Sequence, residues 1–417
     1  MYGQAMPSGP RPKRAIAAID PVRRFLDTEE GGGFALLAGS VVALIWVNVF
    51  GVAGYESFWH TELKIGIGDV AISEDLGHWV NDGLMTLFFF LISLEIKREV
   101  VTGDLRHPRR AALPVIAAAG GVVVPILIYL AITAGTSATG GWGIPMATDA
   151  AFAIAALALL GERVGVGAKL FLVTIAVVDD VLAIVVIAIA YTSDLSLPWL
   201  LAAIALIGVV AAMRRLGLVR IWPYAVVGLL VWVATLESGV HATIAGVALA
   251  FMTPSGDIRG RPVLEELENR IHPWTSFLIL PIFALANAGV VIGGDALDAG
   301  DGMRTALAVA IGLMVGKLVG ISAATLLAVR FRLGLLPRGV DRRSVIGIAA
   351  LAGIGFTVSL FIAALAFDDP LLVDSAKLGI LGGSIVSAAI GVAILAPGGR
   401  HPSRRRDPDP DPSRLGA

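Results

Sequence analysis

Two aspartates stand side by side in the middle of an apolar run. Asp179 and Asp180 lie within Leu170–Ala190, which Lys169 and Tyr191 bracket. That stretch is long enough to cross a bilayer. One aspartate at the centre of a membrane helix costs about 2.5–3.5 kcal/mol on insertion scales. Two in succession call for a reason. Adjacent residues point about 100° apart on a helix, so both can face a bundle interior but hardly both lipid. Intramembrane carboxylates default to ion or proton work. The plain alternative is a polar pair that only hydrogen-bonds to neighbouring helices.

Lys317 is the one charge midway between Arg304 and Arg330 in a second apolar run. A lysine at that depth must meet an anion or lose its proton. It reads equally as a static ion pair joining two helices and as a working group. Gly312, Gly316 and Gly320 beside it form a four-residue ladder that lets another helix approach closely. Glu95 and Glu99 share one helix face next to Lys97 and Arg98, and Glu265-Glu266-Leu267-Glu268-Asn269-Arg270-Ile271-His272 stands before a later run. Most of these charges read as solvated helix ends, although carboxylates beside a histidine titrate near neutral pH more readily than a lone one.

These residues need a membrane scaffold. The 417-residue chain is 56% hydrophobic and 16% charged, against about 25% charged in soluble domains. Apolar runs this long, without ten-residue alternation, predict an all-α integral membrane protein rather than a β-barrel. Cysteine is absent, which excludes disulfides, thiolate metal sites and a cysteine nucleophile. The first run begins at Phe34 behind a long basic segment, unlike a cleavable signal.

Twelve transmembrane spans are predicted: 34–50, 79–96, 111–133, 144–160, 170–191, 197–213, 221–236, 239–252, 274–292, 305–329, 344–367 and 378–395. With the N-terminus inside, all of the 32 Lys+Arg fall in inside segments except Lys64, Arg304, Lys377 and the intramembrane Lys317. That asymmetry sets both termini in the cytoplasm. The expected organisation is a cytoplasmic segment 1–33 with a short interfacial helix at 16–28, a transporter domain 34–396 and a disordered tail 397–417. The outside loop 55–75 alternates from Phe58 to Ile65, turns at Gly66-Ile67-Gly68-Asp69 and resumes at Val70, which predicts a β-hairpin. Its open edge can pair with a second copy or lie flat on its own subunit.

Gly140-Gly141-Trp142-Gly143-Ile144-Pro145 in span four and Ala352-Gly353-Ile354-Gly355-Phe356-Thr357-Val358-Ser359 in span eleven can each break a helix at membrane depth. Spans 3–5 and 10–12 are triplets of opposite orientation, and these two are the middle members. Paired interruptions in corresponding halves point to the midplane site of an inverted-repeat transporter. Asp149 can offset half-helix N-termini there, and Lys317 half-helix C-termini. Glycines that serve packing alone are the plainer reading.

Taken together, Val178-Asp179-Asp180, Ala147-Thr148-Asp149-Ala150-Ala151-Phe152, Gly239-Val240-His241-Ala242-Thr243, His272-Pro273-Trp274, Gly316-Lys317 and Gly353-Ile354-Gly355-Phe356-Thr357 resemble the NhaA sodium/proton antiporter family. So does Asn81-Asp82-Gly83-Leu84-Met85 with Leu94-Glu95-Ile96-Lys97-Arg98-Glu99. The likeness runs in order from about Phe34 to Leu395, and this family is itself a type example of inverted repeats. The resemblance implies twelve helices, crossed broken helices four and eleven, a homodimer built partly through a periplasmic hairpin, and a bacterial inner-membrane protein that expels Na⁺ or Li⁺ in exchange for H⁺. It implies ion binding by Asp179 and Asp180 with Thr148 beside them, and charge compensation by Asp149 and Lys317. It implies pH sensing by Glu95, Glu99, Glu268 and His272, with His241. The chain departs from the family pattern at Asn269, where a second histidine is expected, and at Glu265 and Glu266, which replace basic residues; these bear on the pH set-point.

The mechanism expected is competition of a hard cation and protons for two coupled carboxylates. No cofactor and no nucleic-acid partner is expected; the substrates are the ions and the setting is the lipid bilayer. A sodium-coupled symporter of similar architecture would want a solute pocket, which nothing specifies. An intramembrane aspartyl protease is the remote rival: Gly66-Ile67-Gly68-Asp69 imitates its Gly-x-Gly-Asp motif but lies in the outside loop. A channel would want charge rings or a filter sequence.

Overall fold

In hydrocarbon every backbone N–H and C=O must be satisfied within the protein, so long apolar runs fold as helices. The computed structural model describes residues 29–67, 70–192, 195–218, 220–256, 262–293, 296–297 and 300–396. The expected interfacial helix at 16–28 and the tail from Pro397 lie outside the described residues.

In chain order the α-helices of eight residues or more are α1 (Glu29–Ile45), α2 (Val52–Trp59), α3 (Met85–Val101), α4 (Pro108–Thr133), α5 (Ala150–Ala158), α6 (Val166–Ala190), α7 (Leu197–Arg215) and α8 (Ile221–Leu236). There follow α9 (Thr243–Met252), α10 (Val263–Trp274), α11 (Leu280–Asn287), α12 (Gly302–Ile311), α13 (Lys317–Arg330), α14 (Arg342–Leu351), α15 (Phe356–Ala366) and α16 (Pro370–Leu395). Short π-helical turns extend α1 (Trp46–Phe50), lead into α3 (Trp79–Leu84), and join α10 to α11 (Thr275–Ile279) and α12 to α13 (Gly312–Gly316). Strands β1 (Glu62–Ile67) and β2 (Val70–Asp75) pair antiparallel, from Glu62 opposite Asp75 to Ile67 opposite Val70.

Among the described residues, six helical stretches are long and apolar enough to cross a membrane: Gly31–Phe50, Pro108–Thr133, Val166–Ala190, Leu197–Arg215, Gly302–Arg330 and Pro370–Leu395. There are up to eight if each of two bent pairs counts as one span. The chain is therefore mostly helical and built for a bilayer. The two bent pairs are Ser137–Met146 with Ala150–Ala158, at 47°, and Arg342–Leu351 with Phe356–Ala366, at 45°. The second break, 352–355, falls within its glycine-bearing stretch, whereas the first, 147–149, comes just after residues 140–145. The first differs from the continuous helix its apolar content suggests, because Ser137–Met146 is a 3₁₀ helix that carries Pro145.

The loop 55–75 also departs from the expected register. Phe58 and Trp59 belong to α2, and the first strand opens only at Glu62. Gly51, at φ 98°, turns the chain into α2, where most other residues would be strained. There Trp46 packs on Tyr55 and Phe58, with ring centroids 5.6 and 5.5 Å apart. Aromatic packing thus overrides the alternating pattern. The hairpin is tied down by Trp79, whose indole Nε1 donates to the Leu63 carbonyl at 2.9 Å.

The glycine ladder positions the intramembrane lysine. A Cβ on Gly312 would stand 2.6 Å from Pro145 Cβ, and one on Gly316 2.7 Å from Pro125 Cα. A Cβ on Gly320 would meet the Gly120 carbonyl. Only glycine permits α13 to lie this close to α4, and that contact holds Lys317 in the bundle interior, fully buried.

Candidate ion-binding site

The two interruptions meet. Residues 147–149 form an extended link before α5, and the break between α14 and α15 lies against it. The Asp149 N–H donates to the Ile354 carbonyl at 2.6 Å. The Ser359 hydroxyl reaches back to the Ile144 carbonyl at 2.8 Å. From α16, Ser384 Oγ accepts the Gly355 N–H at 3.3 Å. Broken backbone at membrane depth is tolerated only where protein or water satisfies it, and these bonds do so.

Asp149 is the N-cap of α5, its Oδ1 accepting the Phe152 N–H at 3.1 Å. Its Oδ2 accepts from Thr357, at 3.0 Å from the backbone N–H and 2.6 Å from the hydroxyl. Thr357 lies in the first turn of α15. One carboxylate therefore serves the N-termini of two half-helices, where partial positive charge and orphan N–H groups accumulate.

Asp179 and Asp180 project from α6 beside this crossing and are buried, at 1% and 9% exposure. Lys317 Nζ donates to Asp179 Oδ2 at 2.6 Å and to Thr148 Oγ1 at 2.9 Å. The Thr148 hydroxyl lies 2.6 Å from Asp179 Oδ2 and 2.8 Å from the Ala352 carbonyl. It has one proton for those two acceptors. Asp179 Oδ1 is buried and has no hydrogen-bond partner. An orphaned carboxylate oxygen, the neighbouring Asp180 carboxylate and a threonine hydroxyl are hard oxygen donors of the kind that hold an alkali cation. Lys317 lands on this group rather than on the carbonyl ends of the half-helices, where the Ala352 carbonyl is met by Thr148 instead.

Thus Thr148, Asp149, Asp179, Asp180 and Lys317 gather at or beside the crossing. Thr357, named as part of a motif but given no role from the sequence, joins them. Its position two residues past Gly355, at the start of a helix, was the available signal.

The other expected set is divided. Glu268, on α10, is 7% exposed and its Oε1 lies 2.8 Å from Arg98 Nη1 on α3, while its Oε2 has no partner. Burial pushes the Glu268 carboxyl up from its ordinary value; Arg98 opposes this and Glu265 adds to it. His272 lies one turn further on α10, and Glu95 and Glu99 flank Arg98 on α3, all three partly exposed. His241 is not with them. It precedes α9, packs on Phe361 with ring centroids 5.4 Å apart, and its buried Nε2 has no partner. The far end of α9 is where this cluster's neighbour, Lys97, donates to the Phe251 carbonyl at 2.6 Å and to that of Thr253. The ten residues of α9 keep His241 about 15 Å from that end.

The sequence pattern of the family described as Na⁺/H⁺ antiporter 1 matches residues 23–395. A Na(+)/H(+) antiporter NhaA of Shewanella sp. (strain ANA-3) is 46% identical over 379 residues, covering 90% of this chain and 97% of the relative. The Na(+)/H(+) antiporter NhaA 2 of Pseudomonas syringae pv. syringae (strain B728a) is 47% identical over 382 residues, covering 91% and 95%. The NhaA of Salmonella paratyphi B is 45% identical over 378 residues, covering 90% and 97%.

Proposed function

The chain belongs to the Na⁺/H⁺ antiporter 1 family, a family of membrane transporters and not enzymes, and from that premise we propose that it exchanges intracellular Na⁺ or Li⁺ for external H⁺ at Asp179, Asp180 and Thr148. The observation that carries this reading is the state of Asp179: Oδ2 is held by Lys317 at 2.6 Å while Oδ1 has no partner. A cation entering beside Oδ1 substitutes for the lysine's charge. Protonation of one carboxylate releases the cation, and Lys317 again pairs with the carboxylate that stays ionised. Antiport follows if the loaded forms reorient and the empty, doubly ionised form does not.

The architecture that goes with this reading has twelve spans. Beyond the eight of sufficient length and apolarity, the shorter apolar helices α8 and α9 and the helices around α3 and around α10–α11 supply four. Spans 3–5 and 10–12 form inverted repeats, and alternating access moves the site between the two faces. Asp149 stabilises the broken helices, Lys317 counters the ionised carboxylates, and Glu95, Glu99, Glu268 and His272 sense cytoplasmic pH, with His241 acting from its separate position against Phe361. The protein sits in the bacterial inner membrane with both termini cytoplasmic, residues 1–33 and 397–417 flanking the transporter domain 34–396. It forms a homodimer in which the hairpin takes part.

Sodium-driven proton movement in vesicles holding only the purified protein tests the reading. Exchange that survives unchanged in both Asp179→Asn and Asp180→Asn would refute it.

A further inference from the structure

We propose that Tyr191, at the outer end of the helix that carries the aspartates, is a positioning residue that sets the height of Thr148 against Asp179. The inference rests on the proposed assignment of Thr148 and Asp179 to the cation site.

Tyr191 is the C-cap of α6, and its own N–H still donates to the Ile187 carbonyl. Its hydroxyl bridges the 3₁₀ helix that leads to Thr148. It accepts the Gly143 N–H at 3.2 Å and donates to the Gly140 carbonyl at 3.2 Å. The ring stacks on Trp142, with centroids 6.2 Å apart and planes 24° apart. A Cβ on Gly143 would lie 2.6 Å from the Tyr191 hydroxyl, so the backbone itself is moulded to this contact.

The segment 140–149 and helix α6 are therefore joined at two levels. The inner rung is Thr148 on Asp179, at 2.6 Å. The outer rung is Tyr191 on Gly140 and Gly143. Between the rungs, α6 runs twelve residues, about 18 Å at the helical rise. The other rail runs through 3₁₀ and extended backbone to Thr148, about 19 Å from Gly140 and about 13 Å from Gly143 at those rises. The two rails are of comparable length and joined at both ends, so a change at the outer rung is passed to the inner one. Without it the 3₁₀ helix is still held by Tyr129 at Ala138 and Ser359 at Ile144, which come from other elements, but it loses its outer hydrogen bonds to α6.

Tyr129 offers an internal control. Its hydroxyl also grips this segment, donating to the Ala138 carbonyl at 2.7 Å, but it comes from α4, which does not carry the aspartates.

The experiment measures half-saturating Na⁺ for exchange in everted vesicles for the wild type, Tyr191→Phe, Tyr129→Phe, Thr148→Ala and the double variant Tyr191→Phe/Thr148→Ala. Phenylalanine keeps the stack on Trp142 and loses both hydrogen bonds. Tyr191→Phe should raise half-saturating Na⁺ about three- to tenfold, the size of one or two net hydrogen bonds, with a smaller change in the saturating rate. Tyr129→Phe should leave half-saturation where it is. In the Thr148→Ala background, Tyr191→Phe should add no further loss, because residues acting through one contact are non-additive. Where Thr148→Ala is too slow for flux, the Na⁺-dependent rise in thermal unfolding temperature of the purified protein gives the same comparison of binding.

An unchanged half-saturation in Tyr191→Phe would overturn the proposal. So would an equal penalty with and without Thr148, or an equal effect of Tyr129→Phe. Asp179→Asn, measured alongside, separates the two readings. Normal exchange in Asp179→Asn sinks the site assignment, whereas an inactive Asp179→Asn with a normal Tyr191→Phe sinks only the positioning role.

Discussion

The Asp149 carboxylate takes both the backbone N–H and the hydroxyl of Thr357, a residue 208 positions away, at 3.0 and 2.6 Å. Asp149 is at the same time the N-cap of its own half-helix. Two helix starts that would otherwise face each other with like partial charge share one anion. Asp149→Ala should therefore destabilise the fold by more than the roughly 0.5–2 kcal/mol of a single lost cap. Thr357→Val, which spares the carboxylate and removes only the hydroxyl bond, should cost about 1 kcal/mol. Thermal unfolding of the purified variants checks the order; equal losses would mean that Asp149 serves only one helix.

Lys317 and Asp179 form a pair with both side chains fully buried. Removing one member of such a pair costs about 3–5 kcal/mol, because the other is left charged and uncompensated. Lys317→Met should lower the unfolding temperature sharply. Adding Asp179→Asn should recover most of that loss without recovering exchange. Failure of the double variant to regain stability would show that Lys317 holds the bundle through something other than Asp179.

Glu268 bears on pH. Burial raises its affinity for a proton, with Arg98 opposing. A carboxyl whose folded pKa lies above its unfolded value favours folding most at low pH, and that contribution fades as pH rises through the folded value. Over the range from the ordinary glutamate value upward, the wild type should therefore lose stability relative to Glu268→Gln. Over that range Glu268 also ionises and pairs with Arg98, so the same substitution should shift the pH profile of exchange and leave its maximum nearly intact. Parallel stability curves and an unmoved profile would leave Glu268 as a structural partner of Arg98 and no pH sensor.

The hairpin presents an exposed edge on the side assigned to the periplasm. Replacing Glu62–Asp75 by a short flexible linker should shift the purified protein from dimer toward monomer. An unchanged dimer on size-exclusion with light scattering would leave the hairpin as surface structure tied to Trp79. A periplasm-active reporter fused at Ala417 should stay silent; activity there would overturn the twelve-span count.

The charged residues of the site were legible because charge is costly in hydrocarbon. Asp179, Asp180 and Lys317 stand out of apolar runs for that reason alone, and the basic residues of the loops orient them. The break at 352–355 is visible as a glycine-rich interruption; the other is announced by residues 140–145 but falls just after them, at 147–149. What remained hidden was partnership. Nothing in local sequence says that Lys317 reaches Asp179 and Thr148 instead of a helix C-terminus, or that Thr357 reaches Asp149, since both contacts join segments more than 100 residues apart. The hairpin's register was misjudged because Phe58 and Trp59 alternate like strand residues, yet pack as helix residues on Trp46 and Tyr55. His241 was grouped with the glutamates by the resemblance, while the length of α9 keeps it apart from them.

The most direct test of the account is sodium-dependent proton flux in vesicles reconstituted with Asp179→Asn and, separately, Asp180→Asn, with yield and thermal stability measured alongside. Asparagine keeps the hydrogen-bonding shape and loses only the charge. The account predicts that each variant folds, Asp179→Asn with lowered thermal stability because Lys317 loses its charged partner, and that exchange is abolished or crippled at every pH. Near-normal flux in both would contradict it, because two carboxylates kept only for hydrogen bonding are the case in which asparagine suffices.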